Sequence, residues 1–407
     1  MIIPLYIDPG TGGALFSIII GIIATLYFVS RAFLIKIKSF FSGSRASIKN
    51  KYIWNYVIYN EGKQYWDLFK PVLEEFEHNQ TELLYLTSAL DDPFFDFNWK
   101  YIKHEYIGEG NKAFTYLNFI SAQVVLMTTP GLNVYQLKRS KTVNHYSHIL
   151  HAVTDAMRYR LFGIDYFDSV ILTGDYQAND IRFIEKLRGL PEKTLFTAGC
   201  TYLDEYVLKI KNIPKEDNPP FTVLVSPSWG ASALLSLYGE KLLDPLKSSG
   251  FRIIIRPHPQ SNNSEKHLLE KFQTLYKDNK NIEWDFNREN IYSMNKADIM
   301  ISDFSGIMFD YMFLFNKPVI YINQDFDSRP YDASDLDHEL WQFNIIKKSG
   351  IELVECDFIN IIDIIKNAVG NQSLTDARKT ASESAWQHKN EAGKRIFNFM
   401  TGLLNAS

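Results

Sequence analysis

The sequence predicts an α/β protein in which two doubly wound domains face a cleft, preceded by one N-terminal transmembrane helix. Three observations lead to this fold class: a long apolar run at 14–35 that carries no charge before Arg31, short apolar runs that alternate with amphipathic stretches, and a proline-rich break at 213–220. Repeated strand–helix units build parallel sheets, and the ligand sites of such sheets lie at the carboxyl ends of the strands.

The N-terminal run is long enough to span a membrane. No charge occurs between Asp8 and Arg31, and about 20 apolar residues of helix cross the hydrocarbon core. Because basic residues follow the run and none precedes it, the positive-inside rule places residues 1–13 outside and the basic linker 36–50 inside. We therefore expect a single-pass cell-membrane protein with a cytoplasmic main part. A signal peptide, which would need a preceding basic segment, and a buried core helix are the alternatives.

Strands and helices can be placed along the remaining chain. Strands are expected at 82–88, 122–127, 169–173, 194–198, 222–226, 252–256, 298–302 and 318–322, and helices at 180–187, 231–245, 265–276 and 307–315. The break at 213–220 contains three prolines and makes a good linker. It separates a first domain, 51–212, from a second, 221–375, and a helical tail is expected at 376–407.

The composition narrows the class of protein. Of 407 residues, 46% are hydrophobic and 22% are charged, which is typical of folded domains and excludes a disordered or fibrous chain. The net charge of −4 argues against a nucleic-acid-binding protein, a class that is usually basic. Cys200 and Cys356 are the two cysteines, which excludes a disulfide scaffold or thiolate zinc site and favours a reducing compartment.

The strongest pattern of polar residues follows the seventh expected strand. This strand should end at Ser302 and a helix should begin near Ser305, so the first backbone N–H groups of the helix could bind an anion such as phosphate. Gly306 lets the backbone approach a ligand closely, and Asp310 could accept a hydrogen bond from a hydroxyl group. The alternative is an ordinary helix N-cap formed by Asp303 or Ser305.

Two further loops follow expected strands. Arg256-Pro-His258-Pro ends the strand at 252–256 and holds an imidazole between two prolines, whose fixed φ makes the loop rigid. A rigid loop with two polar donors suits a diphosphate group, although surface or core roles for both side chains are the alternative. The small polar loop with Ser226 and Ser228 opens the second domain and is a candidate nucleotide contact.

Three histidines, His145, His148 and His151, fall within one short window that Asp155 follows. On a helix, this spacing would spread them over roughly 120°. A single general base oriented by Asp155 is the preferred interpretation, and an imidazole of ordinary pKa predicts a rate that rises through about pH 6–7. Polar surface or cap roles are the alternative. A zinc site lacks a completing ligand set, so no metal is expected.

The combined motifs resemble the CDP-glycerol glycerophosphotransferase family, the teichoic-acid primases and polymerases. Arg-Pro-His-Pro at 256–259, Ala-Asp-x-x-Ile-Ser-Asp-Phe-Ser at 297–305 and Lys-Pro-x-Ile-Tyr at 317–321 carry the resemblance, which extends more loosely back to His145. It implies a GT-B fold, with two Rossmann-like domains and the donor in the C-terminal one.

The resemblance also implies roles for individual residues. Those expected to bind the activated donor are Arg256, His258, Ser302, Ser305 and Asp310. A histidine of the first domain would be the base, with His151 as first choice and His148 as second. The chain departs from the family at Gly306, where a second serine is frequent, and lacks the His-Gly-Thr-Pro context of many members.

The predicted function is that of a membrane-anchored transferase. It would move glycerol phosphate, or a related polyol phosphate, from a CDP-activated donor to a hydroxyl group of a cell-surface polymer or lipid-linked precursor, with release of CMP. The expected partners are this donor, this acceptor and the membrane, without nucleic acid and without a cofactor. A nucleotide-sugar transferase of the same fold, and a non-catalytic membrane protein that keeps the fold for binding, are the alternatives.

Overall fold

A computed structural model of the chain describes residues 54–323 and 326–405. The transmembrane helix predicted at 14–35 and its basic flank at 36–50 lie outside the described residues. Among the residues that are described, no helix is long and apolar enough to cross a membrane.

The first sheet has seven parallel strands in the order β3-β2-β1-β4-β5-β6-β7. Its strands are β1 (Trp54–Asn60), β2 (Leu83–Thr87), β3 (Ile102–Tyr106), β4 (Ala122–Met127), β5 (Val143–Ile149), β6 (Ser169–Leu172) and β7 (Thr194–Thr197). The helices of this lobe are α1 (Trp66–His78), α2 (Asn111–Leu117), α3 (Gln177–Arg188) and α4 (Thr201–Lys211). The strand order reverses between β1 and β4, where open α/β sheets bind ligands.

The second sheet has six parallel strands in the order β10-β9-β8-β11-β12-β13. They are β8 (Thr222–Val225), β9 (Arg252–Ile255), β10 (Ile282–Trp284), β11 (Ile299–Ser302), β12 (Val319–Tyr321) and β13 (Ile351–Glu352). The helices are α5 (Leu234–Lys247), α6 (Ser261–Ser264), α7 (Lys266–Leu275), α8 (Ile291–Lys296), α9 (Ile307–Phe315), α10 (Trp341–Ser349) and α11 (Ile361–Val369). Here the order reverses between β8 and β11.

All eight predicted strands are present, with ends within one residue of those expected. Of the four predicted helices, α9 has the predicted bounds, α7 is one residue shorter at each end, and the ends of α3 and α5 differ from the prediction by up to three residues. The strands β1, β3, β5, β10 and β13 were not predicted. The strand β5 matters most, because it contains His145 and His148, so the helical arrangement considered for the histidines is wrong.

The C-terminal segment returns to the first lobe. It consists of α12 (Gln372–Ala385) and α13 (Ala392–Asn405), and α13 packs on the first sheet and on α1. The ring of Phe397 contacts Phe76 of α1 at 4.9 Å, and Phe399 stacks on Phe196 of β7 at 4.6 Å. Ile396 and Met400 are fully buried in the same core. The chain therefore crosses from the second lobe to the first after its second sheet is complete.

A second link between the lobes is a buried ion-pair cluster. Arg188 at the end of α3 contacts Asp165 at 2.8 Å, Asp332 at 2.7 Å and Asp335 at 2.7 Å. Asp332 also accepts hydrogen bonds from the backbone of Phe162 at 2.7 Å and Gly163 at 3.1 Å. The segment between β12 and α10 is thereby held against the first lobe.

Candidate functional site

The candidate site is built from loops at the carboxyl ends of both sheets. In the first lobe, Thr128 follows β4 and His151 follows β5, next to the reversal of strand order. In the second lobe, Ser226 follows β8, Arg256 follows β9 and Asp303 follows β11. These loops lie at the two positions where such sheets bind ligands.

His151 is held through one ring nitrogen. Its Nδ1 lies 2.9 Å from the Thr128 hydroxyl, which donates its own proton to the carbonyl oxygen of Ile149 at 2.8 Å. Because that hydroxyl has one proton, it must accept from Nδ1–H of His151. Nε2 then keeps its lone pair, which is the form that a general base requires.

Burial sets the protonation state of His151. Desolvation lowers the pKa of His151 to about 4, so the ring is neutral at pH 7. The rate increase through pH 6–7 assumed an ordinary imidazole, and the lowered pKa of His151 predicts a flat rate in that range instead. Tyr65 packs against the ring at 5.1 Å and helps to exclude water from it.

Tyr159 links the two C-terminal histidines of the window. Its hydroxyl lies 3.1 Å from Nδ1 of His151 and 3.0 Å from Nε2 of His148. His148 is fully buried within β5, and burial together with the neighbouring His151 lowers its pKa well below the ordinary value. His148 is thus a core residue that reaches His151 only through Tyr159. The sequence did not indicate Tyr159 or Thr128.

The other two predicted residues of this window lie elsewhere. His145 lies near the amino end of β5, opposite to the strand end that faces the site, and contacts the Ser169 hydroxyl at 2.9 Å. The Asp155 carboxylate accepts from the backbone N–H groups of Trp341 at 2.8 Å and Gln342 at 2.9 Å, the first residues of α10. Asp155 therefore caps a helix of the second lobe, and it is Thr128 and Tyr159 that orient His151.

The loop before α9 has an outer and an inner set of residues. Ser305 and Gly306 are half-buried, and a Cβ atom at Gly306 would meet no atom within 4 Å, so open space faces the start of α9. Asp303 is buried and accepts from the backbone of Ser228 and Leu234 at 3.0 and 2.9 Å. Only the outer pair is available to a ligand, and the helix N-terminus adds positive potential there.

The remaining serines of the prediction join strands to each other. The Ser302 hydroxyl donates to the carbonyl oxygen of Ser226, and the Ser228 hydroxyl donates to Asp303 at 2.9 Å. All three serines are nearly inaccessible to solvent. These contacts fix the loops after β8 and β11 relative to each other, and the hydroxyl groups of Ser302 and Ser228 are used within the protein.

Arg256 and His258 differ in what they can offer a ligand. Arg256 is buried and pairs with Asp285 at 2.5 Å, and it donates to the carbonyl oxygen of Asn287 at 2.7 Å. The guanidinium is thus committed to the loop after β10. His258 is half-exposed, and its Nδ1 accepts from the backbone N–H of Gln260 at 3.1 Å. Its proton therefore lies on Nε2, which can donate to an anion.

A cavity of about 450 Å³ adjoins this loop in the second lobe. Its walls combine aromatic and aliphatic side chains with polar and charged ones, and they come from the loop before α9, from α9, α10, the end of β12 and the segment that follows it. Residues that line it include Asp303, Phe304, Phe326, Gln342 and Phe343. In the described part of the chain, no group of three or more His, Cys, Asp or Glu side chains is arranged to hold a metal ion.

Comparison with known protein families finds a match in the second lobe. Residues 200–391 match the family model described as CDP-Glycerol:Poly(glycerophosphate) glycerophosphotransferase. The resemblance to this family is thereby confirmed. The match covers β8 to β13, including Arg256, His258 and the loop before α9. The prediction of an enzyme of the CDP-glycerol glycerophosphotransferase-like class is confirmed with it.

Solved structures with low sequence identity share the fold. The wall teichoic acid polymerase TagF, in a form soaked with CDPG, has a TM-score of 0.57 at 15% identity, over 94% of this chain and 97% of that chain. A putative UDP-N-acetylglucosamine 2-epimerase from Listeria monocytogenes has a TM-score of 0.57 at 14% identity, over 88% and 98%. The predicted GT-B-like pair of parallel-sheet domains is therefore confirmed. No curated protein matches the sequence.

Proposed function

We propose that the protein transfers glycerol phosphate from CDP-glycerol to a hydroxyl group of a cell-surface polymer or its lipid-linked precursor and releases CMP. The observation that carries this proposal is a pair of histidines at the carboxyl ends of the two sheets. Nδ1 is engaged in both rings, but His151 offers a lone pair on Nε2 and His258 offers a proton. One ring suits proton removal from an acceptor, and the other suits a hydrogen bond to phosphate.

In the proposed reaction, the acceptor hydroxyl oxygen attacks the β-phosphorus of CDP-glycerol. The hydroxyl proton passes to Nε2 of His151, and the bond between the β-phosphorus and the bridging oxygen breaks. The electron pair of that bond leaves with CMP. Nε2–H of His258 and the N–H groups at the start of α9 hydrogen-bond the phosphate oxygens as charge shifts to the leaving group.

The family match at 200–391 supports CDP-glycerol as the donor. A nucleotide-sugar transferase is the second candidate. A UDP-GlcNAc 2-epimerase from Methanocaldococcus jannaschii, in complex with UDP-GlcNAc and UDP, has a similar fold. That enzyme also binds a nucleoside diphosphate group. The two reactions give different products. Attack on the β-phosphorus releases CMP, whereas attack on a sugar carbon releases a nucleoside diphosphate.

The proposal includes a single-pass transmembrane helix at residues 14–35, with the catalytic part of the chain in the cytoplasm. The uncharged run and the basic residues after it support this topology. A reporter fused after Ser407 should be active when it is a cytoplasmic reporter and inactive when it is an exported one. The reverse pattern would exclude the proposed orientation.

The decisive experiment measures product release by the full chain with bacterial membranes as the source of acceptor. CDP-glycerol, CDP-ribitol and UDP-sugars are supplied in turn, and CMP and nucleoside diphosphates are separated. We expect CMP from CDP-glycerol, and a rate about 10²- to 10⁴-fold lower for His151→Ala. Release of a nucleoside diphosphate from a UDP-sugar, without CMP from CDP-glycerol, would favour the second candidate.

A further inference from the structure

Arg158 is a cation of the first lobe without a close carboxylate partner. It ends a short 3-10 turn, Ala156–Arg158, seven residues after His151. Its Nη1 lies 3.5 Å from Oε1 of Gln342, at the limit of a hydrogen bond, and the guanidinium lies 5.5 Å from the centre of the Phe326 ring. In residues 54–323 and 326–405, no carboxylate comes within 4.0 Å of it to form an ion pair.

Other arginines with little exposure have one of two kinds of partner: carboxylates at Arg256 and Arg188, and backbone carbonyl oxygens at Arg378. Arg256 contacts a carboxylate at 2.5 Å, and Arg188 contacts three carboxylates at 2.7–2.8 Å. Arg158 is half-buried, and its partial removal from solvent lowers its pKa from the usual value. Because a guanidinium stays protonated in proteins, such a position costs free energy unless an anion accompanies it.

The nearest acidic groups are already engaged. The Asp155 carboxylate accepts two backbone hydrogen bonds at the start of α10. The Asp303 carboxylate accepts from the backbone of Ser228 and Leu234 and from the Ser228 hydroxyl. Both attract Arg158 electrostatically but neither contacts it. The guanidinium therefore keeps donors that an external anion can use.

The position of Arg158 links it to the loop before α9. Its two contacts, Phe326 and Gln342, line the cavity that Asp303 and Phe304 also line. Ser305 and Gly306 follow these two residues directly. Arg158 thus reaches from the first lobe to the cavity beside the proposed phosphate site, on the same segment that supplies His151.

We propose that Arg158 binds the diphosphate group of the donor from the first lobe and stabilises the charge that develops on the departing CMP. This inference rests on the proposed function. During transfer, the bond between the β-phosphorus and the bridging oxygen breaks, and the electron pair goes to the CMP phosphate. The planar guanidinium can donate two parallel hydrogen bonds to phosphate oxygens. It remains protonated throughout, because the acceptor proton goes to His151.

The test compares Arg158→Met and Arg158→Lys with wild type in single-turnover CMP release from CDP-glycerol. Arg160→Met is the matched control, since Arg160 is exposed on the same segment. We expect Arg158→Met to be about 100- to 1,000-fold slower, the usual effect of removing one transition-state donor. Arg158→Lys should retain more activity because it keeps the charge, and added guanidinium chloride should partly restore Arg158→Met.

Folding is followed through the Tm of each variant. A rate for Arg158→Met within threefold of wild type would overturn the inference. A second result would also overturn it: Arg158→Met and Arg158→Lys are equally slow, and guanidinium does not restore Arg158→Met. A purely structural role of Arg158 would give that result. A wild-type chain that releases no CMP would overturn the proposed function and this inference with it, so the two failures are distinguishable.

Discussion

Tyr202 at the start of α4 donates a hydrogen bond of 2.7 Å to Oδ1 of Asp310 in the first turn of α9. The bond joins the two lobes at the residue that the family resemblance assigns to donor binding. Burial raises the pKa of Asp310 to about 7, and the bond from Tyr202 opposes this rise. Asp310 is therefore partly protonated near neutral pH, unlike an ordinary aspartate.

This raised pKa makes stability depend on pH. Between about pH 4 and 7 the folded protein keeps a proton on Asp310 that the unfolded chain releases, so the free energy of unfolding falls as pH rises through this range. Asp310→Asn removes this contribution and keeps an acceptor for Tyr202. We expect the stability of Asp310→Asn relative to wild type to increase by about 1–3 kcal/mol between pH 5 and pH 8, measured by urea denaturation.

The control for this experiment is Asp363→Asn, because Asp363 is largely exposed, with a side-chain exposure of 78%. Its stability relative to wild type should be nearly the same at both pH values. The free energy of unfolding of Asp310→Asn could also differ from that of wild type by the same amount at pH 5 and pH 8. That result would mean that Asp310 is ionised throughout this range and that burial does not raise its pKa.

The donor site can be tested at His258 and Ser305. His258→Ala removes the Nε2–H donor, and each lost hydrogen bond to a charged phosphate should weaken CDP-glycerol binding by about 10- to 150-fold. Because desolvation lowers the pKa of His258, wild-type binding through this neutral ring should hardly change between pH 7 and 8. Ser305→Ala should weaken binding in the same direction with little change in Tm.

Binding is measured by calorimetry, with His267→Ala as the matched control because the side chain of His267 is fully exposed. The control should bind CDP-glycerol as wild type does. Normal affinity in both His258→Ala and Ser305→Ala would mean that the phosphate groups bind elsewhere in the lobe.

The sequence predicted the second sheet well because its strands are apolar on both faces. The residues of β8 and β11 are almost all Val, Ile, Leu or Met, and hydrophobic runs of this kind identify buried parallel strands. The sequence did not predict β5 because this strand carries Ser147 and His148, which are polar yet fully buried. The hydroxyl group of Ser147 is satisfied by Ser169 of β6 at 2.7 Å, a partner distant in sequence.

Dependence on partners that are distant in sequence also explains which site residues could be predicted. His258 and Ser305 lie in loops next to strands that the sequence predicted, whereas His151 follows β5 and was proposed from the histidine window and the family resemblance. Asp155 and Arg256 are as polar as these residues, but their partners, α10 and Asp285, come from other parts of the chain. Whether a polar side chain faces a ligand or the protein depends on such partners. Arg158 was missed for the converse reason, since its lack of a carboxylate is visible only in three dimensions.

Asp155 gives a prediction about stability rather than chemistry. Asp155→Ala leaves two N–H groups of α10 without their acceptor, so the free energy of unfolding should fall by about 1–2 kcal/mol. Asp155→Asn keeps one acceptor oxygen and should lose less. Denaturant titration of both variants checks this order. Equal stability of Asp155→Ala and wild type would show that the cap contributes little and would reopen a chemical role for this carboxylate.

The final prediction concerns the pH dependence of transfer. Because burial lowers the pKa of His151 to about 4, the ring is a competent base throughout the neutral range, and single-turnover CMP release should stay nearly constant from pH 6 to pH 8. The rate should fall only as pH approaches about 4, where Nε2 binds a proton. Tyr159→Phe removes one partner of Nδ1 and should slow transfer about 3- to 30-fold without weakening CDP-glycerol binding. His78→Ala, at an exposed histidine of α1, serves as the control for both measurements. A rate that climbs steeply between pH 6 and 7 would mean that the base titrates as an ordinary imidazole and is not the buried ring of His151.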